Sequence, residues 1–219
     1  IYINGNKYDI VLIEVNKILE SSKKKRTPRL EAESYTLLGT GYLYTKNMTE
    51  AIKCFRKALN INMQLMAKQP PNNYNFYKPM EGLSIAYGGS EKYKEALQIS
   101  DSLLKKIDET YQYIKYSNAE TADNEFIYNF HKSRASCYDA LWNIKTNNTK
   151  KARLQLDSIG QFVKQHYGCS ITSSDFDIYR YVESNYWFAT RDLKKAKEYA
   201  LSMTKISLED NAFTYMLTH

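Results

Sequence analysis

Residues 32 to 65 read AESYTLLGTGYLYTKNMTEAIKCFRKALNINMQL. Tyr35, Leu38, Gly39 and Tyr42 share one helical face, and Ala51, Phe55 and Ala58 share another a short way on. Between the two sets Lys46 and Asn47 interrupt the apolar pattern, so the stretch predicts two helices lying antiparallel across a tight polar turn. Small residues at Gly39 and Ala51 let the backbones approach closely, and the aromatic side chains fill the space beside them.

The same arrangement recurs outward from this hairpin. TEAIKCF at 49 to 55 is followed by KEALQIS at 94 to 100, KKARLQL at 150 to 156 and KKAKEYA at 194 to 200, each with alanine third: Ala51, Ala96, Ala152 and Ala196. Tyr42, Tyr87 and Trp187 each stand nine residues before the alanine, and Trp142 stands ten before Ala152. The polar pairs that mark the turns are Lys46 with Asn47, Gly89 with Ser90, Asn147 with Asn148, and Arg191 with Asp192. A weaker fifth copy spans residues 8 to 12, with Val11 in the alanine position. Four copies of this nearly fixed interval predict a stack of helical hairpins.

These residues resemble the tetratricopeptide repeat (TPR), whose pattern sets an aromatic, a leucine, a small residue and an aromatic on a first helix, then alanine, aromatic and alanine on a second. Residues 32 to 65 match nearly throughout, except that Met63 replaces the closing proline. Residues 77 to 110 match at Leu83, Ser84, Tyr87 and Ala96, but Ser100 stands where the second-helix aromatic belongs and Leu103 where the last alanine belongs. The copies around Ala152 and Ala196 keep the alanine and the preceding tryptophan. Equivalent positions lie 40, 45, 56 and 44 residues apart, against about 34 in the family, so helices or loops are lengthened. Pro70, Pro71, Asn72 and Asn73 make a loop of one insertion, between Met66 and Asn75. In the longest interval a short turn at 117 to 123 is flanked by longer helices, and Ser173 and Ser207 are placed to cap later ones. The expected fold is an all-α solenoid in one array over residues 1 to 219. It has about ten helices, with hairpins near 32–65, 77–110, 121–166 and 174–206 and partial repeats at 1–22 and 207–219. Both ends read as cut, the first helix lacking its partner before it and residues 208 to 217 lacking one after, which predicts a piece of a longer protein.

Composition supports helices. Eight glycines and four prolines in 219 residues supply too little turn chemistry for a sheet-rich fold. No stretch approaches the roughly 18 to 20 apolar residues of a membrane-spanning helix, and residues 1 to 8 lack the layout of a secretion signal. The net charge is +7, but Lys23, Lys24, Lys25, Arg26 and Arg29 carry five of those charges in an acid-free connector beside Pro28. Only two remain for the rest of the chain, so no broad basic face is expected and nucleic acid is not an expected partner. The 20 tyrosines fit the residue usage of an AT-rich genome better than a stacking platform.

Catalytic and metal-binding signatures are not found. No phosphate loop, GxSxG elbow or HExxH occurs, and Gly39 and Gly41 begin a GxG inside a helix. Cys54, Cys137 and Cys169 are too dispersed for a zinc or redox pair, and His131, His166 and His219 have no ligand spacing. Glu31 with Glu33, and Asp175 with Asp177, read as solvated helix starts. No enzyme activity and no cofactor is expected.

What the resemblance implies is a scaffold or receptor for a protein or peptide, with the first helices lining a concave groove. Carried over position by position, the groove falls on Thr36, Thr40 and Tyr44, on Lys78 and Glu81, on Asn143, and on Tyr181 and Asn185. Asparagine can clamp an extended peptide and tyrosine offers a flat amphipathic surface. Thr36 and Thr40 replace the lysine and asparagine with which chaperone-binding relatives hold a terminal carboxylate, so a chaperone tail is not the expected ligand. Long irregular repeats in a truncated array are similar to the sensor segments of bacterial signalling proteins. Such a segment would be extracytoplasmic or cytoplasmic, touching membrane only through parts outside this stretch. The competing expectation is a helical platform domain of a carbohydrate-uptake lipoprotein or of an enzyme.

Overall fold

A computed structural model describes residues 6–67, 75–117, 122–167 and 177–203. Among the described residues there are nine helices and no strand: α1 (Asn6–Lys24), α2 (Pro28–Tyr44), α3 (Met48–Met66), α4 (Tyr77–Gly89), α5 (Tyr93–Tyr116), α6 (Ala122–Lys145), α7 (Thr149–Tyr167), α8 (Asp177–Ala189) and α9 (Leu193–Ser202). Each helix packs on its neighbours in sequence, and α2, α4, α6 and α8 also touch one another in order. This is the all-α solenoid that the repeat predicts. The loop at 70 to 73, the caps Ser173 and Ser207, the helix at 208 to 217, Cys169 and His219 lie outside the described residues.

The interval from aromatic to alanine has a backbone cause. In the turn of each hairpin one residue takes the left-handed conformation, namely Lys46, Glu91, Asn147 and Arg191, each five residues before the repeat alanine. The next residue's N–H then reaches back to the preceding helix: Asn47 to the Tyr42 carbonyl at 2.9 Å, Lys92 to Tyr87 at 2.9 Å, Asn148 to Asn143 at 2.7 Å and Asp192 to Trp187 at 2.9 Å. That same residue caps the second helix, its carbonyl receiving the N–H of Ala51, Ala96, Ala152 or Ala196. Asn47 and Asp192 also accept with their side chains, from Glu50 N–H at 3.2 Å and Lys195 N–H at 3.1 Å. Two expectations change here. Gly89 belongs to α4, and the second turn is made by Glu91 and Lys92 rather than by Gly89 and Ser90. In the third hairpin the position equivalent to Tyr42 is Asn143, not Trp142.

The alanines sit where helices come closest, all four buried. Phe55 on α3 points between α2 and α4, where a Cβ on Gly39 would lie 2.8 Å from the ring and one on Gly82 would collide with it. Glycine at both places lets one aromatic join two repeats. The next repeat solves the same problem with polar atoms. Ser84 and Ser100 hydrogen-bond at 2.8 Å, and the Trp142 indole N–H donates to Ser84 Oγ at 2.7 Å. The Trp142 ring lies against Gly88, so α6 plugs the space that Ser100 leaves unfilled.

Other expectations are corrected by burial. Val11 is 45% exposed instead of enclosed like the repeat alanines, because no described helix covers that side of α1. The basic run is less of a connector than the sequence suggests. Lys23 and Lys24 end α1, where a positive charge suits the helix C-terminus, and Arg29 opens α2 just after Pro28. Asp177 does start a helix, but it is 2% exposed and pairs with the equally enclosed Arg180.

Candidate functional site

A cleft of about 500 Å³ opens between α2, α4 and α6. Arg29, Glu33, Thr36 and Leu37 line it from α2, since these positions repeat with the helical period. Tyr77, Lys78 and Pro79 line it from the start of α4, and His131 from α6. Asn62 of α3 donates through its side-chain amide to the Asn75 carbonyl at 3.0 Å, which fixes the approach to α4 at the cleft margin.

The cleft wall is electrostatically organised. Arg134 donates to Glu81 at 2.9 Å, and the Tyr77 hydroxyl donates to the same carboxylate at 3.4 Å. His131 lies against Tyr77 with ring centroids 4.2 Å apart and the planes tilted by 45°, and it meets Phe130 edge-on at 5.7 Å. Burial pushes the His131 imidazole below its ordinary pKa, with Arg134 and Lys78 adding to that and Glu81 opposing it. Burial also raises the Tyr77 phenol well above its ordinary range, and the Glu81 carboxylate holds Arg134 firmly charged. Arg29 pairs with Glu33 at 3.2 Å. Leu37 is 54% exposed, an apolar side chain left in the open beside these charges.

Of the eight groove positions carried over from the repeat pattern, Thr36 and Lys78 line this cleft, and Glu81 stands outside the lining, bonded to the lining Tyr77. Thr36 and Thr40 spend their hydroxyls on their own helix, donating to the Ala32 and Thr36 carbonyls at 2.9 and 3.0 Å. Tyr44 stacks on Tyr8 at 4.6 Å. Asn185 donates to the Tyr181 carbonyl at 2.9 Å. Asn143 and Tyr181 are 0% and 4% exposed, so neither presents surface to a ligand. Asn143 occupies the hairpin-joining position of Tyr42, and its amide bonds Asp139 and Gln155 while its oxygen receives Asn148. Tyr181 is enclosed in the core where α6 packs on α8, and burial raises its phenol pKa to about 12.

Beyond Thr36 and Lys78 the sequence selected none of the lining residues, among them Arg29, Glu33, Leu37, Tyr77 and His131. The α2 trio was reachable, because 29, 33 and 37 continue the face of Thr36 and Thr40 at helical spacing. His131 was not, because its place depends on how α6 registers against α4.

A second cleft, of about 590 Å³, lies among α7, α8 and α9. Most of its charged groups are spent on the protein itself, Lys164 being the lining charge without an ion pair among the described residues. Arg153 forks onto buried Glu183 with bonds of 2.8 and 3.0 Å, the Tyr179 hydroxyl donates to that carboxylate at 3.0 Å, and Lys195 covers the Trp187 ring at 4.0 Å. A Tyr128, Asp108 and Lys132 triangle at 2.7 to 2.8 Å joins α5 to α6; its lysine pKa is raised despite burial, by Asp108 and Tyr128. That keeps the amine protonated, the opposite of what a lysine base or nucleophile needs. Among the described residues no cluster of three His, Cys, Asp or Glu side chains is placed to hold a metal, and no helix is long and apolar enough to cross a membrane. Cys54 and Cys137 are buried thiols, both with pKa raised by burial.

Comparison with known proteins gives a consistent picture of the fold. No protein-family model matches the sequence, and no curated protein matches it either. Among solved structures the chain is similar to a putative kinesin light chain of Podosopora anserina with nearly identical TPR-like repeats, at 11% identity and a TM-score of 0.60, over 95% of this chain and 90% of that one. A variant form of that protein gives 0.61 at the same identity and coverage. The turn geometry, the alanine contacts and this likeness lead to one assignment: the chain has the TPR-type α-solenoid fold.

Proposed function

We propose that the chain is a protein-interaction module, a single array over residues 1 to 219 that binds an extended peptide or protein segment in the cleft between α2, α4 and α6. The observation that carries this reading is the cleft itself. It lies among first helices, it exposes Leu37 among polar groups, and it includes Thr36 and Lys78, with Glu81 bonded to the lining Tyr77. An exposed apolar side chain ringed by charged ones is the ordinary composition of a contact site. Thr40 and Tyr44 extend the proposed surface along α2 and Asn185 continues it on α8, and a protein or peptide, not nucleic acid, is the partner. The module performs no catalysis in this reading. It serves as the sensor segment of a larger bacterial signalling protein, which accords with the long, irregular repeats.

The test is selection of binding peptides from a random display library on the purified chain, followed by affinity measurement against two variants. Leu37→Arg places a bulky charge in the cleft, whereas Leu154→Arg alters another exposed leucine outside it. Selected peptides should bind the Leu154→Arg chain like the parent and lose about tenfold or more with Leu37→Arg, the size of one interface anchor. Peptides indifferent to Leu37→Arg would place the contact surface elsewhere.

A further inference from the structure

One polar group of the cleft between α2, α4 and α6 is fixed in orientation and has capacity left over. Asn62 lines the cleft from α3 although it is only 7% exposed. Its amide nitrogen donates to the Asn75 carbonyl at 3.0 Å. A carbonyl can only accept, so this bond settles which end of the amide is which and sets Oδ1 on the side away from Asn75. Among the described residues Oδ1 accepts no hydrogen bond, and it is not sealed off, so the opening it keeps is the cleft that Asn62 lines. The cleft therefore presents a preset acceptor. An occupant that covers it without supplying a donor forfeits the hydrogen bond that water gives it.

The lining discriminates among the groups that a protein segment can bring to that oxygen. A carboxylate has no proton to give and would set oxygen against oxygen. An ammonium or guanidinium group would carry its charge to a lining where Arg29 and Lys78 stand against one carboxylate, Glu33, among the described residues. A main chain carries side chains on both sides, which hold it off so enclosed a group. A hydroxyl can donate, but it gathers donor and acceptor on a single atom. A carboxamide at the end of a side chain separates the two: its NH2 donates to Asn62 Oδ1, and its oxygen is left for the Arg29 and Lys78 donors of the same lining. We infer that the partner segment anchors in the cleft through an inserted glutamine or asparagine read by Asn62, with an apolar residue beside it on the exposed Leu37. The inference rests on the cleft being the interaction surface, as proposed above.

The probe is a random heptapeptide display library panned in parallel on the parent, Asn62→Leu and Leu37→Arg chains. Peptides recovered on the parent should be enriched in glutamine or asparagine at one position. That enrichment should vanish on Asn62→Leu, whose side chain is of similar size and has no acceptor. The leading parent heptapeptide is then made with a fluorescein label and measured by anisotropy. Changing its anchoring carboxamide to the apolar counterpart, Gln to Met or Asn to Leu, should weaken binding to the parent about tenfold, the worth of one enclosed hydrogen bond. Changing it to the acid, Glu or Asp, should weaken binding at least as much. On Asn62→Leu the carboxamide and apolar peptides should bind alike. Thermal melts establish that the variants are folded, and if Asn62→Leu does not fold, the three peptides measured on the parent decide the question.

Three results would overturn the anchor: no carboxamide enrichment on the parent, an enrichment that persists on folded Asn62→Leu, or an apolar or acidic peptide that binds the parent as tightly as the carboxamide one. Leu37→Arg separates this inference from the reading beneath it. Peptides that are lost on Leu37→Arg but carry no carboxamide preference leave the cleft as the contact surface and remove only its anchor. Peptides that bind Leu37→Arg like the parent, or recovery of none from the library, remove the cleft itself and the anchor with it.

Discussion

Asparagine 143 shows how one side chain can be read correctly for chemistry and wrongly for place. Its amide does clamp neighbours, but they are Asp139, Gln155 and Asn148 inside the protein. The sequence offered Trp142 as the aromatic of that hairpin, one residue before the position that the turn geometry makes equivalent to Tyr42. The turn hydrogen bond from Asn148 to the Asn143 carbonyl settles the alignment, and that bond is invisible in composition or spacing. The network around Asn143 has a measurable consequence. Asp139 is fully enclosed, and its carboxyl is held above the ordinary carboxylate range by burial, against the lowering effect of the Gln155 and Lys151 contacts. Its Oδ1 accepts no hydrogen bond among the described residues. A carboxyl raised in the folded state keeps a proton that the unfolded chain has released, so this group's contribution is present near pH 4 and is lost as pH rises through the folded value. Asp139→Asn removes that dependence. In chemical unfolding from pH 4 to pH 7 the parent should lose stability relative to Asp139→Asn, other carboxylates being common to both. A constant difference across that range would show that Asp139 titrates normally.

Single helices and turns were the most legible part of the molecule. Apolar spacing located the α2–α3 hairpin, because burying one face of each helix requires that spacing whatever the rest of the chain does. Exact turns were less legible: Gly89 looks like a turn residue, yet Glu91 takes the left-handed conformation. A β-carbon in that conformation costs about 1 to 2 kcal/mol, so Lys46→Gly should raise stability by about 0.5 to 1 kcal/mol once the glycine's unfolded-state entropy is deducted. A lower melting temperature for Lys46→Gly would mean that the lysine side chain supplies more than the turn geometry accounts for. Ala51 tests the packing between hairpins. It is fully enclosed in a core that includes Phe55, Leu83, Ala86 and Tyr87, so Ala51→Leu should overpack it at a cost of about 1 to 3 kcal/mol. Hydrogen exchange should then quicken in α4 as well as in α2 and α3, since nearest-neighbour contacts hold such a stack together. Loss of protection confined to one helix would argue against that coupling.

Across the whole molecule the array was legible and its contact surface only partly so. Repetition of one hairpin compels stacking, because a lone hairpin cannot cover its apolar face. Thr36 and Lys78 were found because the groove positions implied by the tetratricopeptide resemblance fall on them, whereas His131 enters through the packing of α6 against α4, which no local pattern encodes. Leu37 and the Arg29 and Glu33 pair were within reach of the period, but their polar and apolar mixture looks like an ordinary solvated face until three helices are set beside one another. The account is therefore best tested where those helices meet, by hydrogen–deuterium exchange of the full chain with and without a peptide selected from the display library. Bound peptide should slow exchange in residues 29–37, 75–79 and around 131, leaving the outer faces of α3, α5 and α7 unchanged. Protection confined to those second helices, with the three cleft segments unaffected, would contradict it.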